Sequence, residues 1–327
     1  MFSNRDRNPA ARTCAALCAV LACMLFVDGT VSRAQQPTTT GILLLAHGGS
    51  ESWNENVRAL AARINRDQPV EVAFGMATRA NIQRSADALA ARGAARIVAV
   101  PLFVSSHSSV VTSTEYLLGL RSAAPPELAV FAKMSHGSHG VPATNGTAGT
   151  TGTHAHDHGA TDSSDGTRPI TSAVPIRMTG ALDAHPIVAD ILADRARAIS
   201  TDPTRESVIL VAHGPVTNAE NDKWLEKMRV LAGGVQRSAP YASVDCLTVR
   251  DDAPAPIKAA ATAELRALVT RHRDAGSRVL IVPVLLSYGG IEQGIKKRLD
   301  GLEYAIAPKA IMPDDRLELW VKQQAGS

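Results

Sequence analysis

Residues 41–48 read Gly-Ile-Leu-Leu-Leu-Ala-His-Gly, and residues 207–214 read Ser-Val-Ile-Leu-Val-Ala-His-Gly. Each stretch is an apolar run of strand length that ends in Ala-His-Gly. A second pair, residues 95–104 and 277–286, shares an apolar run interrupted by one proline at the same place. Because both patterns recur in the same order, the sequence predicts an internal duplication of one structural unit.

Apolar runs alternate with helical patterns in both halves of the chain. The strands are predicted at residues 42–46, 70–74, 96–104, 208–212, 244–249 and 279–285. Ser52 and Glu55 have the spacing of a capping box at the start of the first helix. Alternation of this kind gives parallel sheets covered by helices on both faces. We therefore predict an α/β fold of two similar, doubly wound parallel-sheet lobes.

The domain boundaries follow from changes in composition. Residues 35–178 are predicted to form the N-terminal lobe, and residues 179–327 the C-terminal lobe, which opens with an amphipathic helix over 186–199. Residues 135–168 are poor in apolar side chains and rich in Gly, Ser, Thr, His and Asp. We expect this part of the first lobe to be a disordered or mobile insert.

Residues 1–34 have the pattern of a secretory signal peptide. Three arginines precede an apolar stretch over residues 13–27, and small residues follow at 32 and 34. We predict cleavage after Ala34 and export to the periplasm or the medium. An uncleaved anchor is the alternative, although the stretch is shorter than the roughly 20 residues that span a bilayer. Lipidation of Cys23 is a second alternative, and cleavage after Ala34 would leave Cys246 as the only cysteine.

Composition excludes several classes of partner. The 327 residues carry a formal net charge of only +3, and no basic run is interleaved with aromatic residues, so nucleic acid is not expected to bind. No membrane association is expected after removal of the signal peptide. A monomer is feasible, because the two lobes can pair within one chain.

His47 and His107 are the candidate catalytic residues. Each lies just beyond the carboxyl end of a predicted strand, and ligands of open α/β sheets bind outside the carboxyl ends of the strands. Imidazole is both a ligand for divalent metals and a proton acceptor. The alternative is that each histidine only caps a strand through backbone hydrogen bonds. His185, which precedes Pro186, is expected to have a structural role.

The Ala-His-Gly strand end, followed two strands later by Val-Pro-Leu-Phe-Val-Ser-Ser-His at residues 100–107, resembles the class II chelatases, the sirohydrochlorin cobaltochelatase and ferrochelatase group. Residues 180–186 are similar to the stretch that opens this family's second lobe, and the resemblance spans about residues 41–320. It implies insertion of Co²⁺, Fe²⁺ or Ni²⁺ into a sirohydrochlorin-type tetrapyrrole held between the lobes, without a nucleotide. His47 and His107 would bind the metal and catalyse its insertion.

The sequence departs from the family pattern in both lobes. Many members have a carboxylate soon after the second strand, where this chain has Met76. The second lobe keeps only His213, because residues 287–290 read Ser-Tyr-Gly-Gly, so we expect one asymmetric site with His213 in a secondary role. Glu292 could replace the missing acid from across the cleft; the alternative is a glutamate in the first turn of a helix, favoured by the helix dipole.

The insert contains five histidines: His136, His139, His154, His156 and His158. Histidines near acidic residues suggest an auxiliary segment that collects divalent metal ions, whereas a structural zinc site would normally include cysteines. The alternative is a solvated linker that binds metal only incidentally.

Two other functions fit parts of the sequence. An exported protein could keep this fold and bind or deliver metal without inserting it. A serine hydrolase using Ser50 or Ser105 is disfavoured, because neither serine stands in a Gly-x-Ser-x-Gly motif. A spectral change that depends on the macrocycle would separate a chelatase from a metal carrier.

Overall fold

The computed structural model describes Met1, residues 39–136 and residues 165–326. The elements of the first half are β1 Thr40–Ala46, α1 Glu51–Ile64, β2 Val70–Phe74, α2 Arg79–Ala91, β3 Arg96–Pro101, α3 Ser109–Leu117, α4 Leu128–His136 and β4 Ile176–Met178. Their four strands form one parallel sheet in the order β2-β1-β3-β4.

The second half repeats this arrangement. Its elements are α5 Pro186–Arg197, β5 Glu206–Ala212, α6 Asn218–Ser238, β6 Ser243–Thr248, α7 Ala255–Asp274, β7 Arg278–Val284, α8 Ile291–Arg298, β8 Ala305–Ile306 and α9 Arg316–Gly326. The second parallel sheet has the order β6-β5-β7-β8, which matches the first sheet strand for strand. The predicted α/β fold with two similar parallel sheets is confirmed for the described residues.

Both central strands are buried on both faces. In β1, Ile42 and Leu44 join a core that also contains residues of the second sheet, while Leu43 and Leu45 join a separate core beneath α2. In β5, Leu210 belongs to the shared core and Ile209 to a third core on the outer side of the second sheet. Near-continuous apolar runs are required here because helices cover both faces of each sheet.

The C-terminal helix α9 packs against α1 and α5, which joins the two halves. Its Trp320 is fully buried in the shared core. On its outer side, Lys322 Nζ lies 2.6 Å from an Asp67 carboxylate oxygen, which belongs to the turn after α1. The chain from Thr39 to Ser327 accordingly forms one compact unit.

Glu206, at the start of β5, is a buried carboxylate held by polar neighbours. Its side chain is only 1% exposed, and Arg278 Nη1 lies 2.6 Å from one oxygen. Burial alone would raise the pKa of Glu206. Hydrogen bonds from Ser200, Thr201 and Arg278 outweigh burial and lower that pKa from 4.5 to about 2.

The capping box predicted from Ser52 and Glu55 is wrong. Helix α1 begins at Glu51, so its N-cap is Ser50, whose Oγ accepts a hydrogen bond from Trp53 N at 3.4 Å. Ser52 therefore lies inside the first turn. The strand predicted over 96–104 ends earlier, at Pro101, although Leu102 N still donates to Leu45 O.

The sequence did not predict the elements α4, β4, β8 and α9.

None of the helices in the described part of the chain is long and apolar enough to cross a bilayer.

Candidate active site

A cleft of about 680 Å³ opens at the carboxyl ends of the strands, and residues from both halves line it. His47 follows β1 directly, and His213 follows β5 directly. Both histidines line the cleft. The duplication thus places the two Ala-His-Gly segments at equivalent strand ends that share one cavity.

The His47 imidazole is exposed and its tautomer is set by the neighbouring backbone. Its Nδ1 lies 2.6 Å from Gly48 O. A carbonyl oxygen can only accept a hydrogen bond, so neutral His47 must carry its proton on Nδ1. The Nε2 lone pair is then free to bind a metal ion or accept a proton.

His107 lies in the loop between β3 and α3, half-buried. Its backbone N donates to Ser105 Oγ at 3.1 Å, and its carbonyl oxygen accepts from Trp224 Nε1 at 2.7 Å. Ser105 and Ser108 of this loop line the cleft, whereas His107 is not among the described residues that do. The pairing of His107 with His47 at one metal stays a prediction.

The segment that opens the second half braces this loop. The Asp183 carboxylate accepts hydrogen bonds from Ser106 N at 2.8 Å and from Ser106 Oγ at 2.5 Å. Ser106 Oγ in turn accepts from Ala181 N at 2.8 Å. Asp183 has a positive φ of 44°, a conformation that Asp tolerates better than most residues. The loop that carries His107 is thereby held on both sides.

His185 has the structural role expected of it. It is the N-cap of α5, and its Nδ1 accepts from Ile187 N at 3.2 Å. Burial lowers the pKa of His185, which keeps the imidazole neutral and able to accept this bond.

His213 is the second-half counterpart of His47. Its Nε2 lies 3.3 Å from an Asp252 oxygen, and the Asp252 side chain is 71% exposed. The buried Arg250 stabilises the loop after His213 by donating hydrogen bonds to Pro215 O at 2.6 Å and to Val216 O at 2.5 Å. A Cβ at Gly214, whose φ is +77°, would lie 2.5 Å from the Thr248 Cβ, so only glycine fits there.

Most of the cleft wall is apolar and includes aromatic rings from both halves. Val130 and Met134 of α4 are 56% and 50% exposed, and both face the cleft. Trp53, Phe103, Phe131 and Trp224 also line it. Sequence reasoning missed this wall, although the run Leu-Ala-Val-Phe-Ala-Lys-Met at residues 128–134 was a detectable signal. Such a wall suits a flat apolar ligand.

The two positions considered for an acidic ligand, residues 76 and 292, differ in whether they line the cleft. Met76 lines the cleft, so an apolar side chain stands where many family members have a carboxylate. Glu292 is 8% exposed, and its Oε2 accepts from Gly289 N at 3.1 Å and Gly290 N at 2.9 Å. It is not among the described residues that line the cleft. In this arrangement Glu292 lies in the first turn of α8 and closes the loop before it, and its role as a replacement acid stays a prediction.

Within the described ranges, no group of three or more His, Cys, Asp or Glu side chains is placed to hold a metal ion. His136 ends α4, next to the cleft-lining Met134. The other four histidines of the insert lie outside the described residues, as does the side chain of His136.

Comparison with known proteins identifies the family. The CbiX family model matches residues 41–140. A sirohydrochlorin cobaltochelatase of Methanothermobacter thermautotrophicus is 31% identical over 96 residues, which are 28% of this chain and 67% of that protein.

Two solved structures share the fold. SirB from Bacillus subtilis with Fe³⁺ has a TM-score of 0.55 at 15% identity, and the match covers 88% of this chain and 96% of that one. The sirohydrochlorin chelatase SirB of Bacillus subtilis subspecies spizizenii, in complex with cobalt, has a TM-score of 0.51 at 13% identity over the same shares. With the sequence match, the resemblance noted above is confirmed: the chain belongs to the class II chelatase family, the family of sirohydrochlorin cobaltochelatases.

Proposed function

We propose that this protein inserts a divalent metal into a tetrapyrrole bound in the cleft. The observation that carries the proposal is His47, which presents a free Nε2 to a cavity with an aromatic, apolar wall. The membership of the family supports the same reaction. The names of the relatives make a sirohydrochlorin-type macrocycle the first candidate.

In this reaction the macrocycle lies against Trp53, Phe131 and Trp224, which exclude water from one of its faces. His47 holds the incoming metal through Nε2. After the metal has passed to the ring nitrogens, the same Nε2 lone pair accepts one pyrrole proton, and His107 accepts the other. Two protons leave as a divalent ion forms its bonds to the ring nitrogens, so the charge of the macrocycle is unchanged. The resemblance to the family implies that the step uses no nucleotide. His213 serves as a secondary contact from the opposite side.

The metal substrate is proposed to be Co²⁺ or Fe²⁺, with Ni²⁺ as a further option, because imidazole accepts all three. One relative is named a cobaltochelatase, and the solved neighbours carry Fe³⁺ or cobalt. We further propose that the five insert histidines collect metal ions and that the protein is exported. The supports are the composition of residues 135–168 and the pattern of residues 1–34.

A second candidate function is metal binding or delivery without insertion. It is favoured by Met76, which replaces a possible third ligand, and by the absence of a three-ligand group among the described residues.

The test is the absorption spectrum of free-base sirohydrochlorin mixed with Co²⁺ and the purified protein. We expect the spectrum to change in the presence of metal at a rate above that of the spontaneous reaction. This acceleration should be lost in the double variant His47→Ala/His107→Ala. His272→Gln is the control, because His272 lies on α7, bonded to Asp245, and is not among the described cleft residues. Metal binding by the wild type without any accelerated insertion would support the carrier instead.

Deletion of residues 137–164 separates the insert from the site. Insertion at saturating Co²⁺ should be unchanged, whereas insertion at scarce Co²⁺ should slow if the histidines collect metal.

A further inference from the structure

Asn54 lies next to the loop that carries His47, and its side-chain amide pairs with the backbone of one residue of that loop. Asn54 Oδ1 accepts a hydrogen bond from Gly49 N at 3.0 Å, and Asn54 Nδ2 donates to Gly49 O at 3.2 Å. Asn54 is half-buried in the first turn of α1, whereas His47 is exposed. A half-buried amide therefore holds a loop that is otherwise open to water.

The Gly48–Gly49 peptide group joins Asn54 to the His47 imidazole. Its carbonyl oxygen, Gly48 O, lies 2.6 Å from His47 Nδ1, and its N–H is the Gly49 donor. In a trans peptide such as this one, the carbonyl and the N–H point in opposite directions. Asn54, by accepting from the N–H, therefore directs the carbonyl oxygen towards Nδ1. Hydrogen bonds in such a chain also polarise and strengthen one another.

The second half of the chain lacks this arrangement at the equivalent place. Asn221 is the fourth residue of α6, as Asn54 is the fourth residue of α1. Pro215, however, stands where the first half has Gly49, and proline has no N–H to donate. Asn221 Oδ1 instead accepts from Thr248 Oγ1 at 2.6 Å. The duplication has kept the asparagine but not its link to the histidine.

His213 differs from His47 in which ring nitrogen has a polar neighbour. In His213 it is Nε2, which lies 3.3 Å from an Asp252 oxygen. A neutral imidazole that donates from Nε2 to a carboxylate has its lone pair on Nδ1. The two duplicated histidines thus offer different nitrogens to a ligand, and the nitrogen that His47 offers is Nε2.

We propose that Asn54 is a positioning residue, which acts through the Gly48–Gly49 peptide to keep the His47 proton on Nδ1 and the Nε2 lone pair open to the metal. This role rests on the proposed function, because it takes His47 as the metal ligand. Metal-binding histidines commonly donate their other N–H to a carboxylate or a backbone carbonyl, which fixes the tautomer and the orientation of the ring. In this chain a side chain holds the carbonyl itself in place.

The test is the tautomer of His47, measured from the ¹⁵N chemical shifts of its ring nitrogens in the metal-free full chain. The spectra are recorded at a pH at which the imidazole is neutral, and comparison with His47→Gln identifies the resonances. In the wild type we expect Nδ1 to be protonated and Nε2 to be unprotonated. In Asn54→Ala we expect the proton to be shared between the two nitrogens, because the Gly48 carbonyl is no longer held towards Nδ1.

Two further variants separate this effect from a general loss of structure. Asn54→Asp keeps the acceptor for Gly49 N and loses the donor to Gly49 O, so Nδ1 should stay protonated. Asn221→Ala removes the hydrogen bond to Thr248 at the matching place of the second half and should leave the His47 tautomer unchanged. An unaltered tautomer in Asn54→Ala, loss of the Nδ1 proton in Asn54→Asp, or an equal shift in Asn221→Ala would overturn the proposal.

Metal insertion is the second measurement. Asn54→Ala should slow insertion of Co²⁺ into sirohydrochlorin by about tenfold, which is typical for the loss of a group that orients a metal-binding histidine. Asn221→Ala should stay near the wild-type rate. A wild-type rate in Asn54→Ala despite a changed tautomer would overturn the positioning role. A wild type that does not accelerate insertion, although its His47 tautomer depends on Asn54, would overturn the proposed function and leave the effect of Asn54 on the imidazole intact.

Discussion

Replacement of Trp224 by phenylalanine tests whether the second half of the chain positions the loop that carries His107. The Trp224 indole donates to His107 O at 2.7 Å, across 117 residues of sequence. Trp224 is 9% exposed, so in the variant the His107 carbonyl oxygen would lose its hydrogen-bond donor where little water can replace it. Loss of one such hydrogen bond costs about 1–2 kcal/mol.

Trp320→Phe is the matched control. Trp320 is fully buried, and its Nε1 has no hydrogen-bond partner among the described residues. Both substitutions shorten the same ring, but only Trp224→Phe removes a hydrogen bond. The free energy of unfolding in urea should therefore fall by about 1–2 kcal/mol more for Trp224→Phe than for Trp320→Phe.

The same comparison extends to metal insertion. We expect Trp224→Phe to slow insertion by up to about tenfold, since 1.4 kcal/mol corresponds to one factor of ten, and Trp320→Phe to leave the rate near wild type. Equal losses of stability in the two variants, together with equal insertion rates, would refute the bracing of the His107 loop by Trp224.

Three further predictions concern stability and are measured by urea unfolding. Asp183→Ala should cost about 2–4 kcal/mol, because it removes two hydrogen bonds to the β3–α3 loop at a positive φ, while Asp183→Asn should cost under about 1 kcal/mol; equal costs would contradict this. Glu206 has a folded pKa of about 2, below the unfolded value of 4.5. Its ionisation therefore contributes about 3 kcal/mol to the free energy of unfolding above pH 4.5, and this contribution is lost as the pH falls towards 2. A Glu206→Gln variant whose stability falls equally with acid would contradict this prediction. Gly214→Ala should cost over about 2 kcal/mol because its Cβ would clash with Thr248, whereas Gly276→Ala, at a φ of +78° with open space, should cost about 1 kcal/mol; similar costs would exclude the clash.

The central strands could be predicted because their sequences are unambiguous. Residues 42–46 and 208–212 are buried on both faces, and such strands appear as continuous apolar runs between helical patterns. In contrast, β4 has three residues and β8 two, which is too short for any periodicity. They become strands only because a longer neighbour offers them hydrogen bonds.

The site was partly predictable for the same reason. His47 and His213 follow equivalent strands, so the duplication indicated that both would lie at strand ends. The sequence could not show that His213 would share a cleft with His47 while His107 would not be among its described lining residues. That outcome depends on how the two sheets face each other.

The cleft wall was missed because its residues come from distant segments. Met134 and Trp224 lie 90 positions apart in sequence yet line one cavity. Within its own segment, each has the pattern of an ordinary apolar residue of a helix. Glu292 was ambiguous for another reason: a carboxylate at a helix start either caps its own loop or faces a ligand, and only the positions of Gly289 and Gly290 decide between the two.

The most direct test of the proposed function is a crystal structure of the protein with free-base sirohydrochlorin, determined without added metal. We predict that the ring lies in the cleft against Trp53 and Phe131, with its central nitrogens facing His47 Nε2. A ring bound elsewhere on the molecule, with the cleft empty, would contradict metal insertion at this site.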